Sequence, residues 1–221
     1  MNKKRILFLT EKWCDGDESL GLTNSYHNLF GSFKESRISI HYEWSYIHFD
    51  EILLKKSRHI DSVKEWILNK LNPDIIICTL LGTSICNPTR SFFEFFKHKN
   101  PYIYIIFIWP DFPLNNDSWT KNSYMNYGPN IIDLNVPMAS EHVKKPREKT
   151  IWHDAWTPED PKLFYFGGFN TKDIDICFLG TFHSFIRVEF LKFLENNIKI
   201  INGKNILKLP FNKENYASYW Y

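Results

Sequence analysis

Three short runs of apolar residues, at positions 6–9, 75–77 and 103–108, constrain the fold of this chain more than any other feature. None of them alternates with polar residues, so each is predicted to be a strand buried on both faces, as in a parallel sheet covered by helices. Between the first two runs, apolar residues recur at helical spacing over residues 22–33 and 60–71. Strands that alternate with helices predict an α/β fold with a Rossmann-like parallel sheet.

Shorter patterns predict the remaining elements of this sheet. Residues 38–46 alternate apolar and polar positions, which is typical of a strand. Asn87 and Pro88 resemble a helix N-cap followed by a proline at the first helical position, and they predict a helix that ends near residue 97. Residues 130–136 and 150–152 predict two further short strands.

The length of the chain predicts one complete domain and part of another. Its 221 residues exceed one typical domain but fall short of two doubly wound domains of roughly 150 residues each. Two prolines and two glycines between residues 154 and 170 are typical of a connection between domains. We therefore expect a Rossmann-like domain at residues 1–155, a linker at 156–172 and the first βαβ unit of a second Rossmann-like domain at 173–221.

The segment after the linker is predicted to hold a strand at residues 173–179, a helix capped by Ser184 and a second strand that starts within 198–201. About 50 residues bury too little surface to fold alone. The apolar side chains of this segment are therefore expected to pack on the first domain or on chain that is missing, or to form a homodimer interface.

Composition excludes several classes of function. The formal net charge of +2 provides no broad basic surface, so no nucleic-acid binding is predicted. The four cysteines include no CxxC pair and are expected to be reduced thiols of a cytoplasmic protein. The first apolar run is too short for a secretory leader or a transmembrane span. The histidine spacing predicts no metal site, and the GxSxG and P-loop patterns are absent.

Loops after the strands are the candidate sites, because ligands of open parallel sheets bind beyond the carboxyl ends of the strands. In the loop at residues 11–21, Gly16 and Gly21 allow close approach of the backbone and Asp17 is a candidate general base. The alternative is an acidic surface loop without function. His27, on the following helix, is either a base at the same site or a structural histidine. Asp111, after the fourth strand, is either a catalytic carboxylate or a turn residue.

A second candidate site follows the strand at residues 173–179. Gly180 and Thr181 end that strand, and Arg187 lies in the first turn of the next helix. Glycine backbone, helix dipole and guanidinium are suited to bind a diphosphate. The alternative is a solvated arginine near an ordinary turn.

The junction between the two segments has a distinctive sequence. Trp156 and Pro158 lead to the run DIDICFLGT at residues 173–181, which is followed by Arg187 and a helix at 190–194. This arrangement resembles the domain junction of spore-maturation-protein-like glycosyltransferases of the GT-B class. In that family a W-x-P segment leads into a D-I-D-V-x-F-x-G-S strand and a helix that begins near an arginine.

The resemblance implies transfer of a sugar from a nucleotide-sugar donor to an acceptor in the cleft between two Rossmann-like domains, with no cofactor and no metal. It assigns Gly180, Thr181 and Arg187 to the donor diphosphate and the 11–21 loop to the acceptor. After residue 216 the chain lacks the acidic loop with which the family grips the donor ribose, so a fragment, a truncated product and a domain without turnover are all open. Two other functions are open as well: a non-catalytic Rossmann-like binding domain, and an enzyme similar to sugar-nucleotide epimerases.

Overall fold

The computed structural model describes residues 3–23, 26–80, 84–109, 126–127, 130–137, 151–152, 176–179, 189–190, 192–193 and 206–209. The chain divides into two compact units, Met1–Pro161 and Lys162–Tyr221. The predicted linker at 156–172 lies outside the described residues, so its bounds remain a prediction.

The first unit contains a six-stranded sheet in which every neighbouring pair of strands is parallel. The strand order is β2-β1-β3-β4-β5-β6. The strands are β1 Lys4–Thr10, β2 Tyr42–His48, β3 Ile75–Cys78, β4 Tyr104–Trp109, β5 Leu134–Pro137 and β6 Ile151–Trp152. The three apolar runs form β1, β3 and β4, which confirms that they are parallel strands, and the structure places them next to one another. The chain moves outward from β1 to β2 and then returns to β3, so the winding direction reverses between β1 and β3.

Helices cover both faces of this sheet, as the alternation of side chains along β1 shows. Leu7 and Leu9 pack in one core with three helices, α2 Phe49–Lys56, α3 Lys64–Leu71 and α4 Arg90–Lys99. Ile6 and Phe8 face the opposite side and pack against Phe30. Phe30 belongs to a π-helical segment, Tyr26–Gly31, that continues into α1, Ser32–Glu35. The chain therefore has the predicted α/β, Rossmann-like architecture.

The second strand differs from its predicted bounds of 38–46. Ser39–His41 forms a 3-10 turn, and Ile38 and Ile40 are 59% and 66% exposed. β2 begins at Tyr42, which is the register partner of Lys4 at the start of β1. Within the described ranges, the residues just before Tyr42 have no neighbouring strand with which to pair, and this is the physical reason for the shift. The helix α2, which follows β2 without a loop, was not predicted.

Two helix starts also differ from the predictions. An antiparallel bridge between Trp13 and Leu22 keeps residue 22 extended, so the helical segment begins at Tyr26, whose N–H donates to the hydroxyl of Thr23 at 3.1 Å. The N-cap of α4 is Thr89 rather than Asn87. The predicted helix end at 72–73 is confirmed, because Asn72 takes the left-handed conformation with φ of 39°.

The second unit contains a parallel pair of strands, β7 Ile176–Leu179 and β8 Ile206–Leu209. Residues 189–190 and 192–193, between these strands, are helical. A parallel pair with a helix between its strands is a βαβ unit, as predicted. The predicted second strand at 198–201 lies outside the described residues. Within the described parts of both units, no helix is long and apolar enough to cross a membrane.

Candidate functional site

Buried polar side chains collect at the carboxyl edge of the sheet, where β1, β2 and β3 end. Burying a polar group costs free energy unless it is hydrogen-bonded, so such a cluster calls for an explanation. This edge is also the region in which open parallel sheets bind ligands. The polar residues there that are at most 6% exposed are Thr10, Glu11, His48, Asp50 and Thr79.

His48 is the last residue of β2 and lies beside Thr10, the last residue of β1. Its Nδ1 atom is 3.4 Å from the Thr10 hydroxyl, and the rings of Tyr26 and Tyr46 lie 5.4 and 5.1 Å from the imidazole. Its buried Nε2 atom has no hydrogen-bond partner in the described part of the chain. Burial lowers the pKa of His48 and outweighs the nearby charges of Asp50 and Glu51, which raise it. The imidazole is therefore neutral at pH 7 and can accept a proton.

Asp50 fixes the start of the loop that follows β1. It is fully buried in the first turn of α2, where a carboxylate also interacts favourably with the helix dipole. Its oxygens accept hydrogen bonds from the backbone N–H groups of Lys12 at 3.0 Å and of Trp13 and Glu51 at 2.9 Å. Three backbone donors hold this carboxylate in place, so it determines where the loop leaves the sheet.

Glu11 and Thr79 connect the ends of β1 and β3, where the winding direction reverses. The Thr79 hydroxyl donates to Oε2 of Glu11 at 2.5 Å, and the Thr79 N–H donates to the Leu9 carbonyl at 3.2 Å. Burial, and secondly the charge of Glu11, raise the pKa of the neighbouring Cys78 thiol. Cys78 is therefore a protonated core thiol, whereas Glu11 contributes an acidic group to the edge.

The loop at residues 11–21, predicted to carry the acceptor site, folds into two 3-10 turns, Cys14–Gly16 and Glu18–Leu20. The N–H of Cys14 donates to the carbonyl of Gly21 at 2.9 Å and closes the loop. Gly16 and Gly21 have φ of 70° and 82°, a region that glycine enters without steric cost. Both glycines are thus required by the loop itself.

Asp17, the predicted general base, is exposed on this loop. Its Oδ1 atom accepts hydrogen bonds from the Ser19 N–H at 2.9 Å and from the Ser19 hydroxyl at 2.7 Å. These bonds cap the second turn. The carboxylate therefore has a structural role in the loop, which does not test the predicted catalytic role.

The other predicted site residues are described only in part. His27 lies in the π-helical segment after the loop, and its side chain lies outside the described part of the structure. The remaining predicted residues are outside the described ranges, and their roles remain predictions: Asp111, Gly180, Thr181 and Arg187.

Sequence reasoning missed the buried polar cluster itself. Glu11 directly follows the first predicted strand, so its position in the sequence could have indicated it, whereas Thr79 was predicted to lie within the third strand, which ends at Cys78 in the structure. His48 and Asp50 could not be found in that way, because strand two was predicted to end at residue 46.

The described ranges contain no group of three or more His, Cys, Asp or Glu side chains that could hold a metal ion. No protein-family model matches the chain, and neither a curated protein nor a solved structure matches it significantly.

Proposed function

We propose that this protein takes part in GT-B-type glycosyl transfer, moving a sugar from a nucleotide-sugar donor to the hydroxyl group of an acceptor. The resemblance of residues 156–194 to the junction of spore-maturation-protein-like glycosyltransferases supports this class. The doubly wound parallel sheet of the first unit is compatible with it. The observation that carries the proposal is His48, a buried neutral imidazole at the carboxyl edge whose Nε2 has no partner among the described residues.

In this reaction the bond between the anomeric carbon and the donor phosphate breaks, and a bond between that carbon and the acceptor oxygen forms. The acceptor hydroxyl loses its proton as the new bond forms, and the nucleoside diphosphate leaves with the electron pair of the broken bond. We assign the proton to Nε2 of His48, since a neutral imidazole accepts a proton at pH 7. This atom is buried, so the assignment requires that the packing around His48 opens to admit the acceptor hydroxyl. Asp17 and Asp111, the carboxylates predicted from sequence, are the competing bases.

Thr10 and Asp50 act on this site by positioning. The Thr10 hydroxyl, 3.4 Å from Nδ1, sets the ring orientation of His48. The carboxylate of Asp50 accepts hydrogen bonds from the backbone N–H groups of Lys12 and Trp13. It thereby holds the start of the 11–21 loop in place. In the proposed reaction this loop contacts the acceptor, and Gly16 and Gly21 belong to it. His27, in the helical segment after the loop, is on the acceptor side as well.

Buried thiols support a reducing compartment for the protein. Within the described residues, Cys78 and Cys86 are buried and form no disulfide. Persistent free thiols are typical of cytosolic proteins, so we place the reaction in the cytoplasm.

Release of nucleoside diphosphate from a panel of uridine- and guanosine-diphosphate sugars tests the assignment of the base. His48→Gln is expected to lower the rate about 100-fold, the usual contribution of general base catalysis. Asp17→Asn is the matched control and is expected to change the rate less than about threefold, because Asp17 is already engaged as a turn cap. The opposite result, in which Asp17→Asn abolishes turnover and His48→Gln does not, would make Asp17 the base.

Titration calorimetry with uridine and guanosine diphosphates tests the donor half. Arg187→Ala is expected to weaken binding about ten- to a hundredfold, since a charge-assisted contact to phosphate is worth roughly 1.5–3 kcal/mol. His48→Gln is expected to leave this affinity unchanged. If neither nucleotide binds the native chain, the protein is better described as a non-catalytic binding domain.

A further inference from the structure

A groove opens beside the end of β2, the edge strand of the sheet, and residues of α2 and α3 also line it. Its volume is about 620 Å³, within the range of roughly 300–1,000 Å³ that is typical of small-molecule sites. Ile47, Ile52 and Val63 provide its apolar walls. Tyr46 and His48 reach it from the end of β2. The groove is therefore large enough, and apolar enough, to hold a small organic molecule.

The rim of this groove has an excess of positive charge. Lys55 is paired with Glu51 at 2.5 Å, and the same carboxylate also pairs with Lys12 at 2.9 Å. Lys56 and Arg58 line the groove as well, and neither forms an ion pair with any residue in the described ranges. The groove lining thus contains one carboxylate, Glu51, and three cations, and the two unpaired cations favour a ligand that carries negative charge.

An exposed tryptophan completes the lining. Trp66, on α3, is 54% exposed, and within the described residues its ring contacts no other aromatic ring. By contrast, Trp44 packs against Phe30 and Phe33 at 5.5 and 6.3 Å. A large aromatic face left open beside cations is suited to stack on a flat ring of a ligand.

We propose that this groove binds a small anionic molecule with a flat aromatic part, the class to which nucleotides and aryl phosphates belong. The aromatic part stacks on Trp66 over the apolar walls, and the anionic group lies at Lys56 and Arg58. This inference does not rest on the proposed glycosyl transfer, because it is argued from Lys56, Arg58 and Trp66, none of which is a predicted acceptor-site or donor-site residue. His48 is the one residue that lines the groove and also belongs to the proposed acceptor site.

Titration calorimetry on the full 221-residue chain tests the proposal with four probes: uridine monophosphate, phenyl phosphate, uridine and inorganic phosphate. The two probes that combine a ring with a phosphate are expected to bind at least about tenfold more tightly than uridine or phosphate alone. A further preference for uridine monophosphate over phenyl phosphate identifies a nucleotide site, and equal affinity identifies a general aryl phosphate site. Inorganic phosphate that binds as tightly as the aromatic probes overturns the proposal, as does the absence of binding below about 10 mM.

Variants connect the binding to this groove. Lys56→Gln and Arg58→Gln are each expected to weaken phenyl phosphate about three- to tenfold. Trp66→Ala is expected to weaken it about tenfold, whereas Trp66→Phe keeps a flat ring and retains most of the affinity. Lys70→Gln is the matched control, because Lys70 is an exposed cation on the same helix but does not line the groove. Equal loss with Lys70→Gln would show a general effect of charge and overturn the assignment to the groove.

Discussion

The two faces of the six-stranded sheet are packed to very different degrees. On the face covered by α2, α3 and α4, a large cluster of residues is buried, and Phe92, Phe93 and Phe96 are completely inaccessible. On the opposite face, the described part of the chain contributes three buried residues: Ile6, Phe8 and Phe30. The other aromatic and aliphatic side chains of that face, including Tyr26, Phe33 and Trp44, are only partly buried.

The difference separates a face that provides stability from a face that adjoins the candidate acceptor site. His48 lies on the loosely packed side, between the rings of Tyr26 and Tyr46. The helical segment there, Tyr26–Gly31, is π-helical, and π-helical turns occur frequently at functional sites. Segments with few buried contacts open at low free-energy cost, which is a requirement for admitting a ligand.

The largest loss of stability is expected when a phenylalanine on the densely packed face is replaced by alanine, compared with the same replacement on the other face. Phe93 is fully buried and contacts Phe92, Phe107 and Tyr127 with ring centroids 5.1–5.6 Å apart. Phe93→Ala is expected to lower the free energy of unfolding by about 3–5 kcal/mol, because it leaves a cavity that the packed helices cannot fill. Urea denaturation, followed by tryptophan fluorescence, measures the loss.

Phe33→Ala is the matched change on the other face. Phe33 is partly buried and contacts Phe8, Tyr42 and Trp44. The expected loss is about 1–2 kcal/mol, since less apolar surface returns to water and the surroundings can relax. Equal losses for Phe33→Ala and Phe93→Ala would contradict the division into a stabilising face and a loosely packed face.

The central strands of the sheet were the part of the fold that sequence predicted best. Continuous apolar runs identify β1, β3 and β4 because strands buried on both faces have no polar positions. The weaker pattern of β2 predicted a strand that started four residues too early. Apolar and polar residues already alternate from Ile38 onward, but the segment before Tyr42 forms a 3-10 turn and pairs with no strand in the described ranges. The helix α2 was missed because it begins directly after β2, without a turn signal between them.

The candidate site was predictable only where it depends on those strands. Asp17 and the two glycines were correctly placed in the loop after β1, but the turn that engages Asp17 depends on local backbone geometry that composition does not specify. His48 and Asp50 became visible only through the register of β2 with β1 and the hydrogen bonds across it. Register is set by tertiary packing, and a single sequence does not determine it.

A smaller loss of stability is expected when Asp50 is changed, because this residue connects the two faces of the sheet. It belongs to α2 on the densely packed face, and it binds the backbone of the loop that leads to the other face. Asp50→Asn is expected to cost about 1.5–3 kcal/mol, the usual value of hydrogen bonds to a charged group. Hydrogen exchange should become faster in residues 12–23 and remain unchanged in α4.

Glu94→Gln provides the control for Asp50. Glu94 is an acidic residue on α4 that pairs with Arg90 at 2.6 Å, and both side chains are more than 40% exposed. Removal of an exposed pair is expected to cost less than about 1 kcal/mol. If Asp50→Asn costs no more than Glu94→Gln, or if exchange accelerates equally in α4 and in the loop, Asp50 does not couple the loop to the sheet.

The smallest effect concerns His48 and the pH dependence of stability. Burial lowers its pKa in the folded protein, whereas the unfolded chain retains the ordinary value near 6.5. Between these two values the unfolded state binds more protons than the folded state. Stability is therefore fully present above about pH 6.5 and falls as the pH decreases through the folded pKa, by at most about 1.4 kcal/mol per pH unit. Urea denaturation from pH 8 to pH 5 measures this slope, and His48→Gln is expected to remove most of it.

Two comparisons assign the slope to His48. His98→Gln changes an exposed histidine on α4, on the densely packed face, and is expected to leave the slope as it is. Asp74 loses its charge in a different pH range. Burial alone would raise its pKa, but hydrogen bonds from the backbone and side chain of Arg5 outweigh this effect, together with the charges of Arg5 and Lys4. The pKa of Asp74 is therefore lowered. The stability due to Asp74 is therefore present above its ordinary pKa near 4 and is lost only as the pH falls below that value. A slope between pH 6.5 and 5 that survives His48→Gln, or disappears with His98→Gln, would mean that the loosely packed face does not hold a neutral, buried histidine.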